Sequence, residues 1–147
     1  PLNSFSGGVI VSELFEERVF PADVSLLPEI TDFISSFAEK SGLHIKKLMH
    51  LEVAVDEVVS NICNYAYVTP PGEILVQLKS GEGRVSVSFI DEGIPFDPLE
   101  MDEPDIKAGL FDRDTGGLGI FLVRRLMDEV HYKNDGTSNI LTLVLYT

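Results

Sequence analysis

Two neighbouring segments alternate between apolar and other residues, first Ile74, Val76, Leu78 and then Val85, Val87, Phe89. A period of two puts every apolar side chain of a strand on one face. Between the segments lies Gly81-Glu82-Gly83, a tight-turn signal, so the pair reads as two antiparallel strands with one face turned to a core. The cover for that face lies upstream. After Pro28, suited to a first helical turn, Ile30, Phe33, Ile34, Phe37 and Ala38 recur at intervals of three and four until Gly42 stops the helix. A longer helix runs from about His44 to Ala66, free of internal Gly and Pro, with Leu48, Leu51, Val55, Val59, Ile62 and Ala66 in the same rhythm. Thr69-Pro70-Pro71-Gly72 ends it, because neither proline can donate a helical hydrogen bond.

The rest of the chain extends this plan. Val19-Phe20-Pro21 reads as a short strand after an N-terminal extension, residues 1–18. Residues 91–114 hold nine acidic and two basic residues and read as a long acidic loop with at most one helical turn. Gly116 and Gly117 open a third helix, with Ile120, Val123, Met127 and Val130 on one face and Leu118, Leu122 and Leu126 on the other, which predicts a largely buried helix. Val130 to Tyr132, a turn at Asn134-Asp135-Gly136, and Ile140 to Tyr146 make a final hairpin. The predicted class is α+β, a two-layer sandwich with helices on one face of a mostly antiparallel sheet, in one domain over residues 19–147.

Charge narrows the partners. Eleven basic residues against 24 acidic ones leave a formal charge of −13, which repels nucleic-acid phosphate and anionic lipid, so neither nucleic acid nor membrane is expected. A single cysteine, Cys63, allows no internal disulfide and points to the cytoplasm. No apolar run approaches the ~20 residues that span a bilayer.

Three places could carry chemistry. Glu57, Asn61 and Asn64 fall at i, i+4 and i+7 on the long helix, a polar stripe whose carboxylate and amide oxygens suit Mg²⁺ or a bound hydroxyl, and equally suit a solvated helix face. Asp91-Glu92-Gly93-Ile94-Pro95-Phe96-Asp97-Pro98 follows a strand: Asp91 can accept from an exocyclic amine and Gly93 permits close approach to a flat ring, although turns also favour these residues. Gly116-Gly117-Leu118-Gly119 meets a helix start, where free N–H groups and the helix dipole attract phosphate, and where glycine also serves tight packing. No P-loop lysine and no complete Rossmann fingerprint occurs, nor any zinc or nucleophile motif around His44, His50 or His131.

Taken together, Glu57-Val58-Val59-Ser60-Asn61, Asp91 to Pro98 and Gly116 to Ile120 stand in the order and spacing of the histidine-kinase-like (Bergerat fold, GHKL) ATPases. Within them the chain resembles the anti-sigma-factor serine/threonine kinases, most visibly over Gly116 to Val130, and the resemblance spans Val19 to Tyr146. It implies ATP and Mg²⁺ as cofactors, with Asn61 on the metal and Glu57 as general base. Asp91 would take the adenine amine, Gly93 would pass beneath the ring, and Gly116, Gly117 and Gly119 would line the phosphates. Thr142 would support the adenine end; apart from the resemblance, Arg113, the only arginine of the loop, is expected to reach the γ-phosphate. Pro95 and Asn64 depart from the common pattern, but neither is assigned chemistry. The short loop argues against gyrase-type relatives, and a sensor-kinase reading is not expected, since residues 1–18 hold no phosphoacceptor-histidine helix pair. The implied partners are an anti-sigma-factor antagonist as phosphoacceptor and a sigma factor or similar regulator, with homodimerisation open. The alternative is an ATP-binding switch or binding module that transfers no phosphate, and the presence of Glu57 favours the kinase.

Overall fold

The structure, a computed structural model, describes residues 4–6, 9–11, 13–66, 72–95 and 117–147. Strands β1 (Ser4–Ser6) and β2 (Val9–Val11) form a small antiparallel ribbon of their own. The main sheet contains β3 (Leu14–Pro21), β4 (Glu73–Gly81), β5 (Arg84–Asp91), β6 (Glu129–Asn134) and β7 (Asn139–Tyr146), in the order β3-β4-β5-β7-β6 and antiparallel throughout. Helices α1 (Leu27–Lys40) and α2 (Ile45–Asn61) are inserted between β3 and its neighbour β4. Helix α3 (Gly117–Leu126) and β6 are inserted between β5 and β7. The expected α+β sandwich is therefore present.

The alternation at the centre of the chain is realised in full. Ile74, Val76 and Leu78 of β4 and Val85, Val87 and Phe89 of β5 are buried, and β7 adds Leu141, Leu143 and Leu145 in the same phase. Glu82 and Gly83 both take positive φ, 55° and 78°, the two-residue turn whose twist suits a hairpin. Against this face α1 places Ile30, Ile34, Phe37 and Ala38, and α2 places Leu48, Leu51, Ala54, Val55, Val58 and Val59. Phe20 of β3 meets Phe33 of α1 edge to face at 5.8 Å between ring centroids, a geometry aromatic quadrupoles favour.

Three local expectations need correction. The first main-sheet strand begins at Leu14 rather than Val19 and pairs with β4 from Leu14↔Ser80 to Pro21↔Glu73. Its middle, Glu16-Glu17-Arg18, lies on an edge strand, where charge faces water and hides the alternation. The long helix is α-helical only to Asn61, and Ile62–Ala66 form a wider π turn. The third helix stops at Leu126, and Val130 belongs to β6. There the Asp128 N–H turns to the Val144 carbonyl instead of the preceding helical turn. Nor is that helix buried all round: Ile120 and Val123 are buried, but Leu122 is 39% exposed.

Candidate functional site

The last turns of α2 touch both other elements singled out in the sequence. Glu57, half-buried, directs its carboxylate at the first turn of α3, and a Cβ placed on Gly119 would overlap Glu57 Oε2. Residue 119 is thus glycine at the point where a carboxylate from another helix presses against the chain. Asn61, one turn further along the same side of α2, is half-exposed, while Asn64 on the π turn is exposed.

The π turn makes the second contact. Its last carbonyl, that of Ala66, accepts the Ile94 N–H at 2.7 Å, and a Cβ on Gly93 would run into the same carbonyl. Gly93 is therefore required by the chain's own backbone. The widened turn carries the Ala66 carbonyl to the segment leaving β5, tying the Glu57/Asn61 helix to the Asp91 loop.

Asp91 closes β5 and is only 6% exposed. Its Oδ1 accepts the Gly93 N–H at 2.9 Å and Asn139 Nδ2 at 3.0 Å. Asn139, equally buried, is its direct cross-strand partner on β7. The sequence reading missed Asn139. Its signal was phase: position 139 is in register with Leu141, Leu143 and Leu145, so a polar residue there faces the core at a strand end. Ala66 was equally illegible, because a backbone carbonyl has no sequence signature.

The structure thus gathers at the end of α2 the contact of Glu57 with Gly119 and, through the Ala66 carbonyl, the Gly93 turn that Asp91 caps; Asn61 stands one turn beyond Glu57, and Gly117 opens α3 two residues before Gly119. Thr142 is not brought there. It pairs with Ser88 across the strands, their hydroxyls 2.8 Å apart, and both residues are out of phase with Asp91 and Phe89, hence on the opposite face of the sheet. Arg113 and Gly116 lie outside the described residues. Cys63, on the π turn, has its thiol pushed up by burial and further by the charge of Asp23, which suits an inert packing residue rather than a nucleophile.

Among the described residues no three His, Cys, Asp or Glu side chains gather as a metal cage. The amide oxygen of Asn61 is a hard donor of the kind magnesium accepts. No described helix is long and apolar enough to cross a membrane.

The helix-covered antiparallel sheet has a counterpart among solved structures. The chain is similar to the histidine kinase domain of the blue-light activated histidine kinase from Erythrobacter litoralis EL346, with a TM-score of 0.54 and 19% identity over 86% of this chain. It spans 61% of that chain's length, and at this identity the likeness concerns the fold. Residues 20–145 match the histidine kinase-like ATPase domain, and the chain belongs to that family. Among curated relatives it is similar to the serine-protein kinase RsbW of Listeria innocua, 32% identical over 116 residues, 74% of this chain and 73% of the relative. The RsbW of Bacillus thuringiensis is 26% identical over 135 residues, 88% of this chain and 84% of the relative.

Proposed function

We propose that this protein is an ATP-dependent protein serine/threonine kinase that acts as an anti-sigma factor, phosphorylating an anti-sigma-factor antagonist in a bacterial partner-switching pathway in the cytoplasm. The observation that carries the reading is the seating of Glu57 against Gly119, because it puts a carboxylate beside the helix start that would hold a phosphate. The serine-protein kinase names of the relatives support the same reaction class.

In this reading Asp91 accepts the adenine amine, and the N–H groups of the α3 start, with Gly116, Gly117 and Gly119, hold phosphate oxygens. Asn61 offers its amide oxygen to Mg²⁺, which when bound neutralises phosphate charge. Glu57 takes the proton of the attacking serine or threonine hydroxyl as the new O–P bond forms and the bond to ADP breaks. Such chemistry asks chiefly for position and charge, so one oriented carboxylate and a set of fixed N–H donors suffice on the protein side. Arg113 completes the γ-phosphate end from the loop. A sigma factor or similar regulator, and a second copy of the chain, are the further partners of this reading. Thr142, on the far face, has no part in it.

Incubation with ATP, Mg²⁺ and candidate antagonist proteins, read by mass spectrometry, tests the proposal. Transfer of one phosphoryl group to a serine or threonine is the expected result. ATP binding by calorimetry without transfer to any antagonist would leave a nucleotide-gated binding module, and absence of ATP binding would overturn both.

A further inference from the structure

The amide of Asn139 lies at the centre of a buried polar network at the end of the sheet. Its Nδ2 faces three acceptors: Asp91 Oδ1 at 3.0 Å, the Gly93 carbonyl at 3.2 Å and the Ile94 carbonyl at 3.3 Å. Its Oδ1 accepts the Tyr132 hydroxyl and, at 3.0 Å, Asn134 Nδ2. Backbone carbonyls can only accept, so the atom turned to Gly93 and Ile94 must be the nitrogen, and only one orientation of the amide satisfies every neighbour. The consequence falls on Asp91, whose Oδ1 is held by two donors, Asn139 Nδ2 and the Gly93 N–H.

We infer that Asn139 is a positioning residue that locks the Asp91 carboxylate in one orientation and thereby sets the preference for a 6-aminopurine over a 6-oxopurine. The inference rests on the nucleotide reading given above. A locked carboxylate meets a 6-amino group with an acceptor, whereas a 6-oxo group would set acceptor against acceptor. A carboxylate free to swing could escape that clash and take the ring N1–H of the 6-oxopurine instead. The clamp also spans the loop after β5, since the same Nδ2 holds the Gly93 and Ile94 carbonyls.

Calorimetry with adenosine diphosphate and inosine diphosphate, alongside thermal melts, tests this on the wild type, Asn139→Ala and the isosteric Asn139→Asp. The wild type should favour the adenine nucleotide. Both variants should lose on the order of tenfold in adenosine diphosphate affinity, as for one buried hydrogen bond, with inosine diphosphate nearly unchanged, so that the preference collapses. A residue serving the fold alone would weaken both nucleotides equally, and that result overturns the inference. So does an undiminished preference in both folded variants, or a failure of both to fold. A wild type with no preference for the adenine nucleotide defeats the Asp91 assignment underneath, an outcome distinguishable because it precedes any variant.

Discussion

The carboxylate of Glu57 on α2 fills the space in which a side chain at position 119 of α3 would stand. The two residues are 62 positions apart, and each explains the other. Glycine at 119 opens the room that the Glu57 carboxylate occupies. Gly119→Ala separates stability from chemistry at this point. Only the far end of a flexible side chain must move, and Ala gains up to about 1 kcal/mol of helix propensity over Gly, so thermal melting should stay at or near the wild-type value. Phosphoryl transfer should fall by roughly tenfold to a hundredfold as the carboxylate is displaced. Wild-type turnover in a folded Gly119→Ala protein would show that this seat is irrelevant to the reaction.

Glu57→Gln keeps the shape and removes the base. A general base acts only in the transition state, so ATP affinity measured by calorimetry should be nearly unchanged while transfer slows by roughly 10² to 10⁴. A variant that transfers at the wild-type rate would remove Glu57 from the mechanism.

At Gly93 the obstacle is backbone, and backbone does not swing aside. Gly93→Ala should break the hydrogen bond from Ile94 N–H to the Ala66 carbonyl and cost about 1–3 kcal/mol in urea unfolding. An unchanged unfolding midpoint would mean that the π turn and the β5 exit are not held together by this contact.

Asp91→Asn should be more harmful to binding than its size suggests. Gly93 N–H and Asn139 Nδ2 both demand an acceptor, so the new side chain keeps its oxygen on them and turns its NH₂ toward the ligand, donor against the adenine amine. ATP binding should weaken by about 1–3 kcal/mol in calorimetry, and GTP should bind the wild type poorly. Unaltered ATP affinity would contradict the assignment.

Acid stability should depend on a clamp far from this site. Lys47 of α2 holds Asp128 Oδ2 at 2.8 Å and the Tyr146 carbonyl at 2.9 Å, and the Tyr146 N–H reaches the same Oδ2 at 2.7 Å. Burial would raise the Asp128 carboxyl, but the bonds from Lys47 and the Tyr146 N–H together with the Lys47 charge outweigh it and hold it below the usual carboxylate value of 3.8. A depressed folded value means that the stabilisation is complete above the unfolded value and is lost as pH falls through the folded one. Lys47→Met should move the acid-unfolding midpoint followed by circular dichroism to higher pH, and at neutral pH should cost about 0.5–1 kcal/mol for a partly exposed pair. An acid transition that does not move would show the clamp to be energetically silent.

Much of the architecture was legible because it is local. The rhythm of Ile30, Ile34 and Phe37, the alternation of β4 and β5, and the turn at Gly81-Glu82-Gly83 each record a period that the backbone imposes within a few residues. Glu57 and Asn61 were legible as a stripe for the same reason. Leu14 to Arg18 were not, because an edge strand can turn charge to water and dispense with alternation. Val130 fits the spacing of the preceding helix as well as it fits a strand, and the competition was decided by sheet pairing with Leu143.

By itself the sequence determined the middle of each helix, the central strands, the layer they form and the three polar clusters. Tertiary structure alone decided which atoms of those clusters meet. Thr142 and Asn139 both lie on β7, yet a strand sends residues three apart to opposite faces, and only pairing with β5 shows that Asn139 is the one that reaches Asp91. Likewise no local pattern tells a glycine that opens a helix from a glycine that makes room for Glu57. That distinction arises when α2 and α3 pack side by side, because the approach of the Glu57 side chain to Gly119 is a property of two helices together and is written in neither alone.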